Sequence, residues 1–175
     1  MGQVVTGTKS LTAAFVEQKT AGVLATQNLQ LPIQGTIAYQ NGTGAQQVDT
    51  VFAEKIALSV STPVTIDLTN VTDPAGNTGV SFGRVREFFI QNMDPAAGHS
   101  IAVYSTASNG WAVLPPVANE LVVQPNGGMI HIADPQSTGS LVGNVVTSTS
   151  KSFTINPGTN AISAVNILIV GGSTA

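Results

Sequence analysis

The chain contains 175 residues, of which only 9% are charged and 42% are hydrophobic. Soluble globular chains usually carry about 25% charged residues, so the surface must be built mainly from Thr, Ser, Asn, Gln and Gly. The length fits one domain with room for a tail. Because so little charge keeps copies apart, the composition favours a protein that lives inside an assembly, although exported adhesins share this composition.

The charge and cysteine counts exclude several classes of function. The net charge is −3 and the six basic residues are scattered, so no basic patch can neutralise many phosphates of a nucleic acid. Cysteine is absent, which excludes disulfides and Cys-ligated zinc. The longest apolar run, Ile167 to Val170, is far shorter than the roughly 20 residues of a membrane-spanning helix. We therefore expect neither a nucleic-acid partner nor a membrane.

Residues 1–32 are rich in Gln, Thr and Ala and are predicted to form an N-terminal arm that precedes the folded domain, residues 33–175. Within the arm, Ser10 to Gln18 is predicted to form a short helical turn capped by Ser10. The segment has few apolar residues to bury, so we expect it to be held by its own domain or by a neighbouring subunit. The candidate anchor residues of the arm are Val4, Val5, Leu11, Phe15 and Leu24.

From Ile33 onward, short β-prone runs alternate with turn residues such as Asp94-Pro95 and Asn156-Pro157. This spacing predicts a series of strands without a long helix. After a first β-prone run from Ile33 to Gln40, the predicted strands are 48–60, 64–68, 84–92, 100–104, 110–114, 120–124, 129–133, 152–156 and 162–170.

Alternation within these runs predicts the layering of the domain. Val64, Ile66 and Leu68 alternate with Thr65 and Asp67, as in a strand with one buried face. Eight or nine such strands predict an all-β fold, an antiparallel β-sandwich. A single jelly roll is the favoured form because two sheets closed over one core limit exposed edges. An immunoglobulin-like sandwich is the alternative.

The strand predicted at Arg84 to Asn92 is expected to be the central one. Phe88, Phe89 and Ile90 place three large apolar residues in a row, which indicates packed material on both faces. The charged residues before them, Arg84, Arg86 and Glu87, are expected to form its solvated start. The candidate core residues are Phe88, Phe89, Ile90, Ile101, Val103, Ile167 and Ile169.

One motif resembles an active centre. Gly79-Val-Ser81-Phe-Gly83 fits the Gly-x-Ser-x-Gly pattern of serine hydrolases, and Asp94 and His99 follow in the order of that fold. The pattern requires a strand before the serine, a helix after it and a parallel sheet, none of which this sequence predicts. Asp94 also lies in a turn close to His99, whereas triad partners come from well-separated loops. We therefore expect no enzyme activity, and we interpret Ser81 as part of a loop.

The remaining candidates for chemistry are weaker. His99 and His131 are too few for a metal site, and His131 alternates off an apolar face, which indicates a surface or inter-subunit histidine. Asp73 begins a turn that lacks the spacing of a calcium loop. Trp111 with Tyr104 could stack on a sugar ring, but one Trp near the start of a strand more often anchors the edge of a core. We expect no cofactor and no metal.

Seven short motifs within residues 33–172 can be considered together. They are Gly35-Thr-Ile-Ala-Tyr, Val48-Asp-Thr-Val-Phe, Ile66-Asp-Leu, Phe82-Gly-Arg-Val-Arg-Glu, Ala107-Ser-Asn-Gly-Trp, Pro125-Asn-Gly-Gly and Ala133-Asp-Pro. With these motifs the chain resembles the small β-sandwich virion proteins of tailed bacteriophages. The first thirty or so residues lie outside the resemblance.

The resemblance implies a non-enzymatic structural protein that decorates or cements the phage head. Its implied partners are further copies of itself, as a homotrimer, and the major capsid protein or other virion subunits. It would be made in the host cytoplasm and located on the virion, with the arm clamping a neighbouring subunit or the shell. The alternative is a fibre-head or carbohydrate/receptor-binding module with loops that touch a receptor. One Trp and 5% aromatic residues offer few stacking platforms for it.

Overall fold

The computed structural model describes residues 7–21, 25–42, 47–133 and 146–173, and for residues 7–40 and 133 it describes the backbone alone. A short 3-10 helix at Val117–Asn119 is the only helical element of the described part. The strands are β1 (Gly7–Ala21), β2 (Ala25–Asn41), β3 (Gln47–Val48), β4 (Thr50–Leu58), β5 (Val64–Asp67), β6 (Arg84–Asn92), β7 (Ile101–Ser105), β8 (Leu121–Val123), β9 (Met129–Ala133), β10 (Ser152–Asn156) and β11 (Ile162–Gly172).

Strands β4 to β11 form two four-stranded sheets in which all neighbouring strands are antiparallel. Sheet I has the order β4-β11-β6-β9, and sheet II has the order β5-β10-β7-β8. The first of these strands therefore pairs with the last, the second with the seventh, the third with the sixth and the fourth with the fifth. This nesting is the jelly-roll arrangement and differs from the immunoglobulin order. The all-β sandwich prediction is confirmed, and its topology is that of the favoured form.

The core lies between the two sheets, with Phe88 of β6 near its centre. The Phe88 ring packs 5.2 Å from the Trp111 ring and 5.1 Å from the Phe153 ring of sheet II, measured between centroids. Aromatic pairs at this separation and tilt add to the burial of their surfaces. Most of the candidate core residues are buried here, namely Phe88, Ile90, Ile101, Val103, Ile167 and Ile169. Phe89 instead lies on the outer face of sheet I and is half-buried.

The start of β6 differs from its prediction. Arg86 and Glu87 are only 3% and 5% exposed, so the expectation of a solvated start was wrong for both. The cause is tertiary: Val170 lies opposite Glu87 but Gly171 lies opposite Val85, so a β-bulge inserts Arg86 between them. Bulges bend a strand and redirect its side chains. Arg86 and Glu87 thus belong to β6, the strand between β9 and β11 in sheet I, and not to a solvated segment that precedes the sheet.

Two further expectations were wrong. The segment Ser10 to Gln18 is not helical but belongs to β1, which pairs with β2 along its whole length. Leu11 and Phe15 are spaced for one face of a helix, but Ala13 between them equally fits one face of a strand, and the long partner β2 decides for the strand. Residues 110–114 are not a strand either. Only Gly110 forms a bridge, to Ser152, and a turn follows.

The arm is therefore the first strand and part of the second strand of a long hairpin. The boundary drawn between residues 32 and 33 lies within β2. With 15 residues in β1, the hairpin is about 50 Å long at roughly 3.3 Å per residue. We call the paired strands β1 and β2 the ribbon. The anchor candidates Leu11 and Phe15 lie in it, whereas Val4, Val5 and Leu24 lie outside the described residues.

Candidate interaction surface

The hydrolase-like motif does not form an active centre. Ser81 is exposed and is followed by β6, with no helix after it. Asp94 and His99 lie beyond the other end of β6, a strand of nine residues, which spans roughly 30 Å. The three residues are therefore not brought together.

Asp94 has a structural role at the end of the sandwich. Its carboxylate accepts hydrogen bonds from the backbone N–H of Ser163 at 2.7 Å and of Ala96 at 2.9 Å, and it lies 3.2 Å from His99 Nδ1. The hydrogen bond from Ser163, then that from Ala96, holds the pKa of Asp94 well below its usual range. The Asp94 carbonyl also accepts from Asn126 N–H at 2.8 Å. Asp94 thus ties three connections of the jelly roll together.

The other candidates for chemistry are also structural. Asp73 accepts from the backbone N–H of Ala75 and Asn77, each at 2.9 Å, so its oxygens close a turn. Trp111 is fully buried in the core and cannot present a stacking face to a sugar. Within residues 47–133 and 146–173, no group of three or more acidic or histidine side chains is arranged to hold a metal ion. No helix of the described residues is long and apolar enough to cross a membrane.

Sheet I presents a partly apolar outer face. Ala53, Leu168, Phe89 and His131 form one row across its four strands, since each is in register with the next. Leu168 is 39% exposed and the nearby Met129 is 55% exposed. Large apolar residues exposed together are a feature of contact surfaces.

A hydrogen-bonded pair lies within this outer face. His131 Nε2 is 2.5 Å from Glu87 Oε2, and the His131 ring packs 6.5 Å from the Phe89 ring. The His131 side chain is 26% exposed and that of Glu87 is 6% exposed. His131 therefore lies off the core, as the alternation with Ile130 and Ile132 predicted. Its hydrogen bond satisfies the buried Glu87 carboxylate.

The outer face of sheet II is mixed. Thr65, Thr154 and Tyr104 form a row across β5, β10 and β7. The Thr65 and Thr154 hydroxyl oxygens are 3.0 Å apart and share a hydrogen bond, a cross-strand pairing that stabilises a sheet. Thr154 is only 6% exposed, whereas Val122 on β8 of the same face is 52% exposed.

The two faces of the ribbon differ more sharply still. Residues directly opposite in an antiparallel pair lie on the same face, and successive pairs alternate between faces. The register runs from Gly7 opposite Tyr39 to Ala21 opposite Ala25, so the odd-numbered residues of both strands share one face. We call this the apolar face of the ribbon, and its large apolar residues are Leu11, Phe15, Leu29, Leu31, Ile33, Ile37 and Tyr39.

The even-numbered residues form the opposite, polar face. Most of them are Thr, Ser, Gln or Asn, and Val16 is the largest aliphatic residue among them. This separation, interrupted on the apolar face by Lys9, Glu17, Lys19 and Gln27, is what a strand pair needs when one face is covered and the other is solvated. The ribbon is therefore amphipathic along its middle, between Lys9 and Glu17 of β1.

At its root the ribbon runs away from the sandwich. β2 pairs with β3 in parallel, through Gln40 with Gln47 and Asn41 with Val48, and β3 leads through Asp49 into β4. The residues before Gln40 therefore lie on the side of β3 away from β4. Among the strands that the structure describes, none of β4 to β11 pairs with β1 or β2.

The root itself is firmly attached to sheet I. Val48 is fully buried, and Asp49 N–H donates to the Gly171 carbonyl at 3.0 Å. The Asp49 carboxylate accepts from Ser173 N–H and Ser173 Oγ, each at 2.6 Å. These hydrogen bonds hold the root of the ribbon against the end of β11.

Comparisons of the chain with protein-family models, with curated proteins and with solved structures give no match.

The ribbon is the feature that residue patterns alone missed. Its signal is present in the sequence, because Leu29, Leu31, Ile33, Ile37 and Tyr39 alternate with polar residues. The run from Ile33 to Gln40 was predicted to be β-prone, but its continuation toward Ala25 was assigned to the arm. The pairing with β1 joins the two segments into one surface.

Proposed function

We propose that this protein is a non-enzymatic structural subunit of a bacteriophage virion, one that decorates or cements the head and uses the ribbon to clamp its neighbours. The observation that carries the proposal is the amphipathic ribbon that runs off a closed jelly roll. Its partners would be further copies, which the family resemblance implies as a homotrimer, and the major capsid protein.

The ribbon has the properties of an attachment element. The sandwich buries its own apolar residues between two sheets. A two-stranded hairpin, by contrast, is marginally stable in water by itself, and the ribbon pairs with neither sheet of the sandwich. An extended element of this kind can cover a wide surface for few residues, since its ordering accompanies contact.

The fold and the composition fit this role, but they do not distinguish it from other functions. Jelly rolls occur in viral capsid proteins, lectins and cupins, so architecture by itself does not define a function. The charged fraction of 9% suits a protein whose surface is partly covered in an assembly. The alternative, a fibre-head or carbohydrate/receptor-binding module, loses one candidate sugar platform because Trp111 is buried, so we do not propose it.

The test uses the full chain and empty shells of the bacteriophage that encodes it. Wild-type protein is expected to co-sediment with shells in a fixed ratio. Phe15→Gln on the apolar face should reduce occupancy at least about tenfold, because linked contacts lose avidity when one is removed. Val16→Gln, the adjacent residue on the polar face, is the matched control and should bind as the wild type does.

Two results would count against the proposal. If wild-type protein shows no affinity for shells, the proposed virion role is wrong. If Phe15→Gln and Val16→Gln bind shells equally well, the virion role stands but the ribbon is not the attachment element.

A further inference from the structure

We propose that the apolar face of the ribbon packs face to face on the same face of a second copy, about a two-fold axis through the Ala13–Ile33 pair. The inference names the partner of the ribbon and so deepens the proposed function, resting on the ribbon as the attachment element. Stacked β-layers lie about 10 Å apart, so two apolar faces would cover each other along the length of both ribbons.

The placement of charge on the apolar face defines this arrangement. Lys9 and Glu17 both lie on that face, equally far from Ala13 and on opposite sides of it. A two-fold axis that crosses the ribbons at Ala13 and Ile33 reverses their direction and sets each β1 on the other β1. Lys9 of each copy then lies opposite Glu17 of the other. The contact thus contains two pairs of opposite charge, which fix both register and direction.

The apolar positions match under the same axis. Leu11 lies opposite Phe15 of the second copy, and Leu29 lies opposite Ile37. The small residue Gly35 lies opposite Leu31, and Ile33 meets Ile33 on the axis. Apolar residues therefore meet apolar residues or glycine between the two charge pairs, as an isologous interface requires.

Neighbouring registers do not pair opposite charges and apolar residues in this way. Moving the axis one residue toward Phe15 sets Glu17 opposite Leu11 and Lys9 opposite Lys19. Moving it one residue the other way sets Lys9 opposite Phe15. In a parallel stack, Lys9 of both copies lies at one level and Glu17 of both at another, which opposes like charges. Only the axis at Ala13 and Ile33 pairs the charges and leaves the apolar residues together.

The experiment exchanges the two charges in the purified full chain, without shells, and measures mass by analytical ultracentrifugation across a concentration series. Wild-type protein should associate through paired ribbons, as dimers or, where the homotrimer that the family resemblance implies also forms, as pairs of trimers. Lys9→Glu and Glu17→Lys should each weaken this association about tenfold or more, because both charge pairs become repulsive. Lys19→Glu is the matched control, since Lys19 lies opposite Gly7 in the proposed contact, and it should associate as the wild type does.

Mixing the two weakened variants provides the decisive step. The Lys9→Glu chain carries two acidic residues and the Glu17→Lys chain two basic ones, so a mixed pair contains two opposite-charge contacts again. The mixture should regain wild-type association, and so should the double variant Lys9→Glu/Glu17→Lys by itself. A parallel stack would instead leave association of Lys9→Glu unchanged.

Several outcomes would overturn the inference. They are a wild-type chain that stays monomeric or stops at single trimers at every concentration, a Lys9→Glu variant no weaker than Lys19→Glu, or a mixture that does not recover. The proposed function fails separately, through loss of shell binding by a wild-type protein that still associates.

Discussion

The sandwich and the ribbon are both antiparallel β-structure, but they differ in how their apolar residues are arranged in layers. The sandwich has two layers, and residues such as Phe88 and Phe153 meet between them. The ribbon has one layer, and β1 and β2 pair with no strand of sheet I or sheet II. Identical secondary structure therefore gives a self-sufficient domain in one region and a contact surface in the other. In the sandwich the second layer comes from the same chain, and for the ribbon we propose that it comes from a second copy.

Substitution in the core of the sandwich should have the largest effect. Phe88→Ala removes a fully buried ring that packs on Trp111 and Phe153 and is expected to lower the free energy of unfolding by about 3–5 kcal/mol. Urea unfolding followed by the fluorescence of Trp111, the single Trp of the chain, measures it. Phe89→Ala is the control in the same strand, and it should cost clearly less because Phe89 is half-buried on the outer face. Equal losses would show that the outer face of sheet I is packed as tightly as the core.

Removing the Asp94 charge should have an intermediate and pH-dependent effect. The pKa of Asp94 is lowered in the folded state by hydrogen bonds from Ser163 and Ala96, so its contribution is complete above the unfolded pKa of about 3.9 and is lost as pH falls below it. Asp94→Asn should be less stable than wild type at pH 7, and the gap should narrow below about pH 4.

Urea unfolding between pH 3 and pH 7 measures that gap for Asp94→Asn. Glu120→Gln removes a carboxylate at an exposed position and controls for the change in net charge. A constant gap between wild type and Asp94→Asn over this range would show that Asp94 stabilises the fold by shape and not by charge.

Where sequence reasoning succeeded, the signal was local. Strands β6, β9 and β10 lie within the predicted bounds because turn residues flank them and alternation fixes their faces. Where it failed, the deciding partner was remote. Leu11 and Phe15 fit a helix face as well as a strand face until β2 is known to lie beside them. Arg86 lies at a bulge against β11 and Glu87 pairs with both β9 and β11, so their burial involves strands that no neighbouring residue indicates.

The candidate surface could be predicted only in part for the same reason. Leu11 and Phe15 were identified as anchors from their apolar character, and they lie on one face of the ribbon. The larger share of that face comes from β2, where Leu29, Leu31 and Ile33 complete it. A face made of two strands appears only when the register between them is known.

Substitution on the ribbon should barely change the stability of the sandwich. Phe15→Gln is expected to shift the unfolding free energy of the sandwich by no more than about 0.5 kcal/mol, because β1 and β2 pair with no strand of β4 to β11. The measurement is urea unfolding followed by Trp111 fluorescence at low protein concentration, where association does not add to stability. A loss comparable with that of Phe88→Ala would mean that the ribbon packs on its own sandwich.

The smallest effect is expected on the outer face of sheet I. Leu168 is 39% exposed there and lies between Ala53 and Phe89, so Leu168→Thr keeps a strand-forming residue and should change the unfolding free energy by less than about 0.5 kcal/mol. Because the ribbon is proposed to pair with a second ribbon and not with this face, self-association should also be unchanged. Sedimentation of Leu168→Thr beside Phe15→Gln tests both points. If Leu168→Thr weakens association as Phe15→Gln does, the second layer for the ribbon is the outer face of sheet I of another copy, and charge exchange between Lys9 and Glu17 should then fail to restore pairing.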